Sequence, residues 1–268
     1  MEGNSIRGTV RMTGTAKNTV TKLLLDVGEA ASAYMDATLV DLPCNRLQVD
    51  EIWSYVYAKA KNVPPEKMGE AGDVWTWVAL DADTKLVPSF LVGGHGPMEA
   101  HQFMTDVAGR MANRVQLSSD GNRLYLTAVE RAFGSDIDYA MIVKIYQSNP
   151  SGYYSPPECI GTETYWVMGK PDWDQVSTSY AERQNLTMRM NIRRLTRLTN
   201  GFSKKIENHV HAMALYFQYY NFCRKHETLT KAAKGVHTTP AMAAGVANHV
   251  WKLEEVVALL EAQEAGRA

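Results

Sequence analysis

The chain has few cysteines, and they are not grouped. Cys44, Cys159 and Cys223 are the three cysteines among 268 residues, and they lie far apart without paired spacing. This pattern argues against a zinc cluster and a disulfide framework, and it suits a reducing cytosol. The sequence also lacks an apolar run of membrane length, a recognisable signal peptide, internal repeats and low-complexity tracts. We therefore expect a cytoplasmic protein that does not enter a membrane.

An excess of charge of one sign is also missing. The formal net charge is −1, which alone argues neither for nor against a nucleic-acid partner. The charges are unevenly placed, because residues 1–25 contain four basic residues and one acidic residue, and residues 179–205 contain seven basic residues and one acidic residue. Two basic islands in a near-neutral chain are typical of a protein that meets a polyanion at two places.

Residues 4–28 predict two short helices joined by a tight turn. The turn is Thr13-Gly14-Thr15, and Gly28 is expected to end the second helix as its C-cap. A short helix, a glycine-containing turn and a polar, basic helix form the pattern of a helix-turn-helix, for which a generic helical hairpin is the alternative. The candidate DNA contacts in this segment are Arg7, Lys17, Asn18 and Lys22. Residues 30–42 predict a linking helix.

The central part of the chain predicts a mixed α/β fold with a five-stranded sheet and flanking helices. Strands are expected at residues 47–57, 74–81, 86–92, 115–119 and 139–146, with helices before and after the fourth strand. Pro88 removes a ladder donor, which places the third strand at an edge. Three antiparallel strands followed by parallel ones give the strand order of the ribonuclease-H-like fold. Residues 147–178 are expected to be irregular, with a hairpin near 159–167, and further helices follow.

Three acidic residues are candidates for a shared site, although each has an ordinary structural explanation. Asp50 lies within the first strand and could face solvent, Asp120 precedes a glycine at a turn, and Glu182 could complete a capping box. In the predicted topology the first and fourth strands are neighbours, and the helix that carries Glu182 crosses nearby. Converging carboxylates repel one another unless a divalent cation neutralises them. Oxygen ligands of this kind predict Mg²⁺ or Mn²⁺, with two ions expected at a phosphodiester.

Several longer motifs are similar to those of bacterial insertion-sequence transposases of the DDE class. They are residues 47–54 (LQVDEIWS), 118–121 (SSDG), 178–185 (TSYAERQN), 202–205 (FSKK), 220–226 (YNFCRKH) and 239–241 (TPA). The resemblance extends to about Val246 and implies a ribonuclease-H-like catalytic domain in which Asp50, Asp120 and Glu182 bind the metal. The family's amino-terminal unit usually has an additional leading helix, so the unit in this chain is expected to be incomplete.

The basic island after Glu182 predicts contacts with a DNA backbone. Its candidate residues are Arg183, Asn185, Arg189, Arg193, Arg194, Arg197, Lys204 and Lys205. Four of the arginines recur at roughly helical spacing, and almost no acidic residues lie beside them to form surface ion pairs. A solvated helix face is the alternative reading of the spacing.

Together these features predict three regions and one function. Residues 1–42 would bind DNA, residues 43–228 would form the catalytic domain, and residues 229–268 would be a helical extension. The resemblance implies strand transfer between the terminal inverted repeats of an element and target DNA, by a homo-oligomer in the synaptic complex. Such a protein would be nucleoid-associated when bound to DNA. The alternatives are a catalytically silent DNA-binding repressor and a structure-selective nuclease.

Overall fold

A mixed β-sheet organises the described residues, which are 3–147, 158–196 and 199–267 of a computed structural model. Its strands are β1 (Arg46–Val56), β2 (Gly72–Asp81), β3 (Ser89–Gly93), β4 (Val115–Asp120), β5 (Ile137–Gln147) and β6 (Glu158–Met168). The strand order is β3-β2-β1-β4-β5-β6. The strands β1, β4 and β5 run parallel, whereas the β1–β2, β2–β3 and β5–β6 pairs are antiparallel. The predicted adjacency of the first and fourth strands is therefore confirmed.

The number of strands differs from the prediction. In the part of the chain that the structure describes, the sheet has six strands rather than five, because β6 pairs with β5. The sequence predicted only a loop hairpin there, since β6 lies at an edge and most of its side chains are exposed. An exposed strand lacks the apolar alternation that identifies a half-buried one. The mixed α/β class is confirmed, and residues 148–157 of the predicted irregular stretch lie outside the described residues.

Helices flank the sheet on both faces. They are α1 (Ile6–Thr13), α2 (Lys17–Thr38), α3 (Pro97–Arg110), α4 (Leu124–Phe133), α5 (Ser179–Asn191), α6 (Ile206–Gln218), α7 (Glu227–Ala232), α8 (Pro240–Ala243) and α9 (Leu253–Arg267). Among the described residues, no helix combines the length and the apolar composition that crossing a membrane requires.

The two amino-terminal helices are only partly as predicted. Ser5 caps α1 by accepting a 2.9 Å hydrogen bond from the Gly8 N–H, and Gly14 ends the helix with φ of 72°. The helix α2, however, continues through Gly28 to Thr38. A Cβ atom at position 28 would lie 2.6 Å from the Cβ of His211 on α6. Glycine at this position therefore permits a close helix crossing and does not end the helix.

Side chains of β1 alternate between two hydrophobic cores. Ile52 packs in the core formed with α2, α5 and α6, whereas Leu47 and Val49 pack in the core formed with α3 and α4. Burying a large apolar side chain of this kind stabilises the fold by about 1.5–3 kcal/mol. The alternation fixes the orientation of the neighbouring acidic residues, because Asp50 shares a face with Ile52 and Glu51 shares the opposite face with Val49.

Candidate metal centre

Three carboxylates meet where β1 and β4 separate. One oxygen from each of Asp50, Glu51 and Asp120 lies within 4.8 Å of the others. Asp120 is the last residue of β4, and β1–β4 pairing ends at Gln48 and Ser118. Asp50 and Glu51 lie just beyond this last pair, so their carboxylates can enter the space between the strands from opposite faces of the sheet. The structure thus brings Asp50 and Asp120 together, as predicted, and adds Glu51.

Burial makes ionisation of this cluster costly. It is the largest cause of the raised pKa of Asp50, about 6, and of Glu51, about 8, and the negative charge of Asp120 contributes to both values. Burial is also the largest cause of the raised pKa of Asp120. Buried carboxylates that repel one another favour either a bound proton or a bound cation. The set of three hard oxygen donors therefore fits a divalent cation such as Mg²⁺ or Mn²⁺.

Glu182 lies beside this cluster and not within it. It occupies the first turn of α5, where the Thr178 hydroxyl donates a 2.6 Å hydrogen bond to Oε1 and Lys144 Nζ lies 2.5 Å from Oε2. The negative charge of Glu182 nevertheless contributes to the raised pKa of Asp50 and of Asp120. The third predicted acid is thus electrostatically coupled to the centre through a side chain that is 39% exposed.

Two contacts with β1 fix the position of α5. The Oε1 atom of Gln48 accepts hydrogen bonds from the backbone N–H groups of Tyr180 (2.8 Å) and Ala181 (3.1 Å), at the start of the helix. One turn after Glu182, Asn185 Nδ2 donates a 2.8 Å hydrogen bond to Asp50 Oδ2. Gln48 and Asp50 lie on the same face of β1, so the strand holds the helix at both points. Free N–H groups in the first turn of a helix require such acceptors.

The opposite side of the cluster is polar and aromatic. Asn122 Nδ2 donates a 2.6 Å hydrogen bond to Glu51 Oε1, and His95 Nε2 lies 3.6 Å from the same oxygen. The His95 ring stacks on Trp75 and Trp77, with ring centroids 4.2 and 5.3 Å apart. These contacts hold Glu51 in its inward orientation.

Sequence reasoning missed four of the residues in this site. They are Glu51, His95, Asn122 and Lys144. Strand alternation placed Glu51 on the face opposite Asp50, and this placement is correct. Alternation does not show, however, that side chains from both faces of β1 can enter the space where β1 and β4 separate. The sequence signal that could have found Glu51 is its position beside Asp50 in a strand whose partner ends early.

The predicted DNA contacts of the second basic island have different environments. Arg183, Arg193, Lys204 and Lys205 are exposed, whereas Asn185 is buried against Asp50. Arg189 is partly buried, and Arg197 lies outside the described residues. Arg194 donates hydrogen bonds to Ser203 Oγ (3.0 Å) and to the Asn208 carbonyl (2.6 Å), and burial lowers its pKa to about 10.

Arg189, Arg193 and Arg194 do not share one helix face, in contrast to the predicted spacing. The helix α5 ends at Asn191, and Arg193–Leu195 form a separate 3₁₀ turn after an extended Ile192. Ile192 and Leu195 are both buried. Anchoring these two apolar side chains in the core changes the backbone direction and redirects the arginines.

The residues of the first basic island lie on α1 and α2. Arg7, Lys17, Asn18 and Lys22 are all exposed. Lys22 instead forms an ion pair with Asp26 one turn further along α2 and does not line the groove described below, so it is left out of the DNA contacts that we propose. The other three side chains point toward the second island, as described below.

Comparison with known proteins finds distant structural similarity. No protein-family model matches the chain, and no curated protein matches its sequence. The chain is similar to the piggyBac transposase in its synaptic complex with hairpin DNA, with 8% identity and a TM-score of 0.31, over 84% of this chain and 54% of that one. It is also similar to endonuclease V from Bacillus subtilis, with 13% identity and a TM-score of 0.26, over 70% of this chain and 90% of that one. The chain therefore spans about half the length of the first neighbour, and neither likeness is close enough to identify its function.

Proposed function

We propose that this protein is a metal-dependent DDE transposase that cleaves DNA phosphodiesters and transfers strands at the ends of an insertion sequence. The observation that carries the proposal is the partly buried group of Asp50, Glu51 and Asp120, whose oxygens lie within 4.8 Å of one another. The strand order β3-β2-β1-β4-β5 supports a ribonuclease-H-like catalytic domain, because it is the order of that fold. The sequence motifs support the transposase assignment within it.

Magnesium or manganese suits the donor set, and we propose two ions. Asp50, Glu51 and Asp120 would hold the first, and Glu182 would complete the second. The chemistry that such ions supply when bound is activation of the attacking oxygen and stabilisation of the leaving oxygen of a phosphodiester. The exposure of Glu182 supports this division, since its side chain is 39% exposed whereas that of Glu51 is 5% exposed.

Other side chains of the chain would orient this centre and the DNA. Asn185 fixes the Asp50 carboxylate through its 2.8 Å hydrogen bond, and Lys144 restrains Glu182. Arg183 is exposed on α5 directly after Glu182, where a guanidinium can contact a backbone phosphate. The partners of the reaction would be the terminal inverted repeats and target DNA, brought together by a homo-oligomer.

The direct test is strand transfer with Mg²⁺ on DNA that carries the inverted repeats flanking the gene. Asp120→Asn should abolish cleavage and joining while DNA affinity stays within a few fold, because the substitution removes a metal ligand without a change of shape. Asp136→Asn is the matched control, since Asp136 is an exposed aspartate paired with Arg114 at the far end of the sheet. Wild-type levels of cleavage by Asp120→Asn would reject the proposal.

Two other outcomes would identify the alternative functions. Cleavage of the DNA without joining would indicate a structure-selective nuclease. Binding of DNA without any chemistry, together with no Mn²⁺ binding by calorimetry at millimolar concentration, would indicate a catalytically silent repressor.

A further inference from the structure

The two basic islands of the sequence meet in one groove. This basic groove, of about 1000 Å³, lies between the amino-terminal helices and the segment that joins α5 to α6. The basic residues that line it are Arg7, Arg11, Lys17, Arg193, Arg194, Lys204 and Lys205, with Glu207 as the acidic one. Residues almost 200 positions apart in the chain therefore present their charges to the same space.

Backbone and packing contacts fix both walls of the groove. The Gly3 N–H donates a 2.9 Å hydrogen bond to the Asn191 carbonyl at the end of α5. On the other side, α2 crosses α6 closely where Gly28 meets His211. The amino-terminal helices are thus held against α5 and α6 at two points, and these contacts define the shape of the groove between them.

Most of the groove cations form no ion pair with a carboxylate of the described residues. Among the described residues, no carboxylate lies within 4.0 Å of the charged groups of Arg7, Arg11, Lys17, Arg193 or Lys205. Elsewhere in the fold, Arg46, Arg110 and Arg114 each form an ion pair with at least one aspartate. Like charges gathered without counter-charges repel one another, and an external polyanion removes that cost.

The geometry points to one stretch of DNA backbone as the occupant of the basic groove, contacted by both islands at once; this inference rests on the proposed function. The first turns of α1 and α6 also face the groove, through Ser5–Arg7 and Lys205–Asn208, and helix amino termini favour phosphate. Phe202 adds an aromatic surface on which Lys204 lies, 3.8 Å from the ring centroid. The lining also includes the amides of Asn18, Asn191 and Asn208, and cations and amides that share one groove suit a phosphate chain better than a compact anion.

The helix α5 sets the distance between the groove and the acidic centre. Glu182 lies at the metal end of α5 and Asn191 lies at the groove end. The nine residue steps from Glu182 to Asn191 correspond to an axial rise of about 14 Å, which is about four nucleotides at 3.4 Å per phosphate. A strand whose phosphates occupy the groove would therefore reach the acids about four nucleotides further on.

A pair of lysines on α2 provides a matched test. Lys17 lines the groove, whereas Lys22, five residues later on the same helix, pairs with Asp26 and lies outside the lining. The variants Lys17→Ala, Lys205→Ala, their double variant and Lys22→Ala would be titrated with a duplex of about 8 bp, roughly 27 Å long. Fluorescence anisotropy in EDTA would give affinity, stoichiometry and salt dependence without chemistry.

One groove predicts one duplex per chain. Lys17→Ala and Lys205→Ala should each weaken binding several-fold and reduce the slope of log K against log salt by about 1, and Lys22→Ala should leave both unchanged. Two duplexes per chain, with each variant removing one, would overturn the proposal, as would no duplex binding at any salt concentration. If strand transfer succeeds while the stoichiometry is two, the groove proposal fails and the proposed function stands.

Discussion

Asn185 and Asp50 are joined by a 2.8 Å hydrogen bond that connects the α5 helix to the central strand of the sheet. The bond stabilises the ionised form of Asp50 and opposes the rise in its pKa that burial causes. It also fixes the rotation of α5, so that Glu182, one turn earlier, faces the same region. The positions of the acidic side chains therefore depend on both the β1 strand and the α5 helix.

Without a metal ion, the unfolding free energy should fall as pH rises, because ionising Glu51 inside the acidic cluster is costly. The raised pKa of Glu51, about 8, means that the folded state holds a proton that the unfolded state releases. Stability from this group is present below the unfolded pKa and is lost as pH rises through the folded value. Between about pH 5 and pH 8 in EDTA, the wild type should lose on the order of 3 kcal/mol of unfolding free energy relative to Glu51→Gln.

Denaturant unfolding at several pH values measures this difference directly. Added Mn²⁺ should restore the wild type at pH 8 and should have a smaller effect on Glu51→Gln, because the amide is a weaker ligand. Parallel stability curves for the two proteins in EDTA would show that Glu51 is not the group that titrates.

Gln48 should act as a positioning residue for α5. Gln48→Ala leaves the N–H groups of Tyr180 and Ala181 without their acceptor, at a cost of about 1–3 kcal/mol in stability. Strand transfer should fall by at least tenfold while Mn²⁺ affinity at the three carboxylates changes little. Gln116→Ala is the control, because Gln116 on β4 makes two comparable hydrogen bonds with Asp172, away from α5. Equal losses of activity in the two variants would indicate general destabilisation.

Lys144 should compete with a cation for Glu182. Removing its charge in Lys144→Met releases Glu182 Oε2 and lowers the positive potential near Asp120. We expect Mn²⁺ to bind a few fold more tightly, since a partly exposed pair at this distance contributes about 1 kcal/mol or less. Calorimetric titration measures the change, with Lys170→Met as a control, because Lys170 lies beside Asp138 at the opposite end of β5 from Lys144. Weaker Mn²⁺ binding by Lys144→Met would contradict this competition and would mean that Lys144 helps to form the metal site.

The buried His209 should make the fold sensitive to acid. Its ring is fully buried, with Nδ1 2.9 Å from Ser203 Oγ and Nε2 3.3 Å from Ser54 Oγ, and burial lowers its pKa to about 4. A lowered folded pKa gives stability that is present above about pH 6.5 and is lost as pH falls toward 4. The wild type should therefore lose on the order of 2–3 kcal/mol over this range relative to His209→Gln. The exposed His237→Gln should follow the wild type.

The sequence predicted those parts of the acidic centre whose positions follow from strand order alone. Asp50 and Asp120 could be placed together because β1 and β4 carry clear strand patterns and are adjacent in the expected topology. Glu51 could not, because its inclusion depends on where β1–β4 pairing ends. The continuation of α2 through Gly28 and the turn after Asn191 depend on contacts with His211 and on buried Ile192, and such tertiary contacts leave no local signal.

The most direct test of the metal centre is anomalous diffraction from crystals soaked in Mn²⁺. We predict a manganese peak in contact with oxygens of Asp50, Glu51 and Asp120, and its loss in Asp120→Asn. A DNA-bound crystal at saturating Mn²⁺ with no peak between these three carboxylates would contradict it.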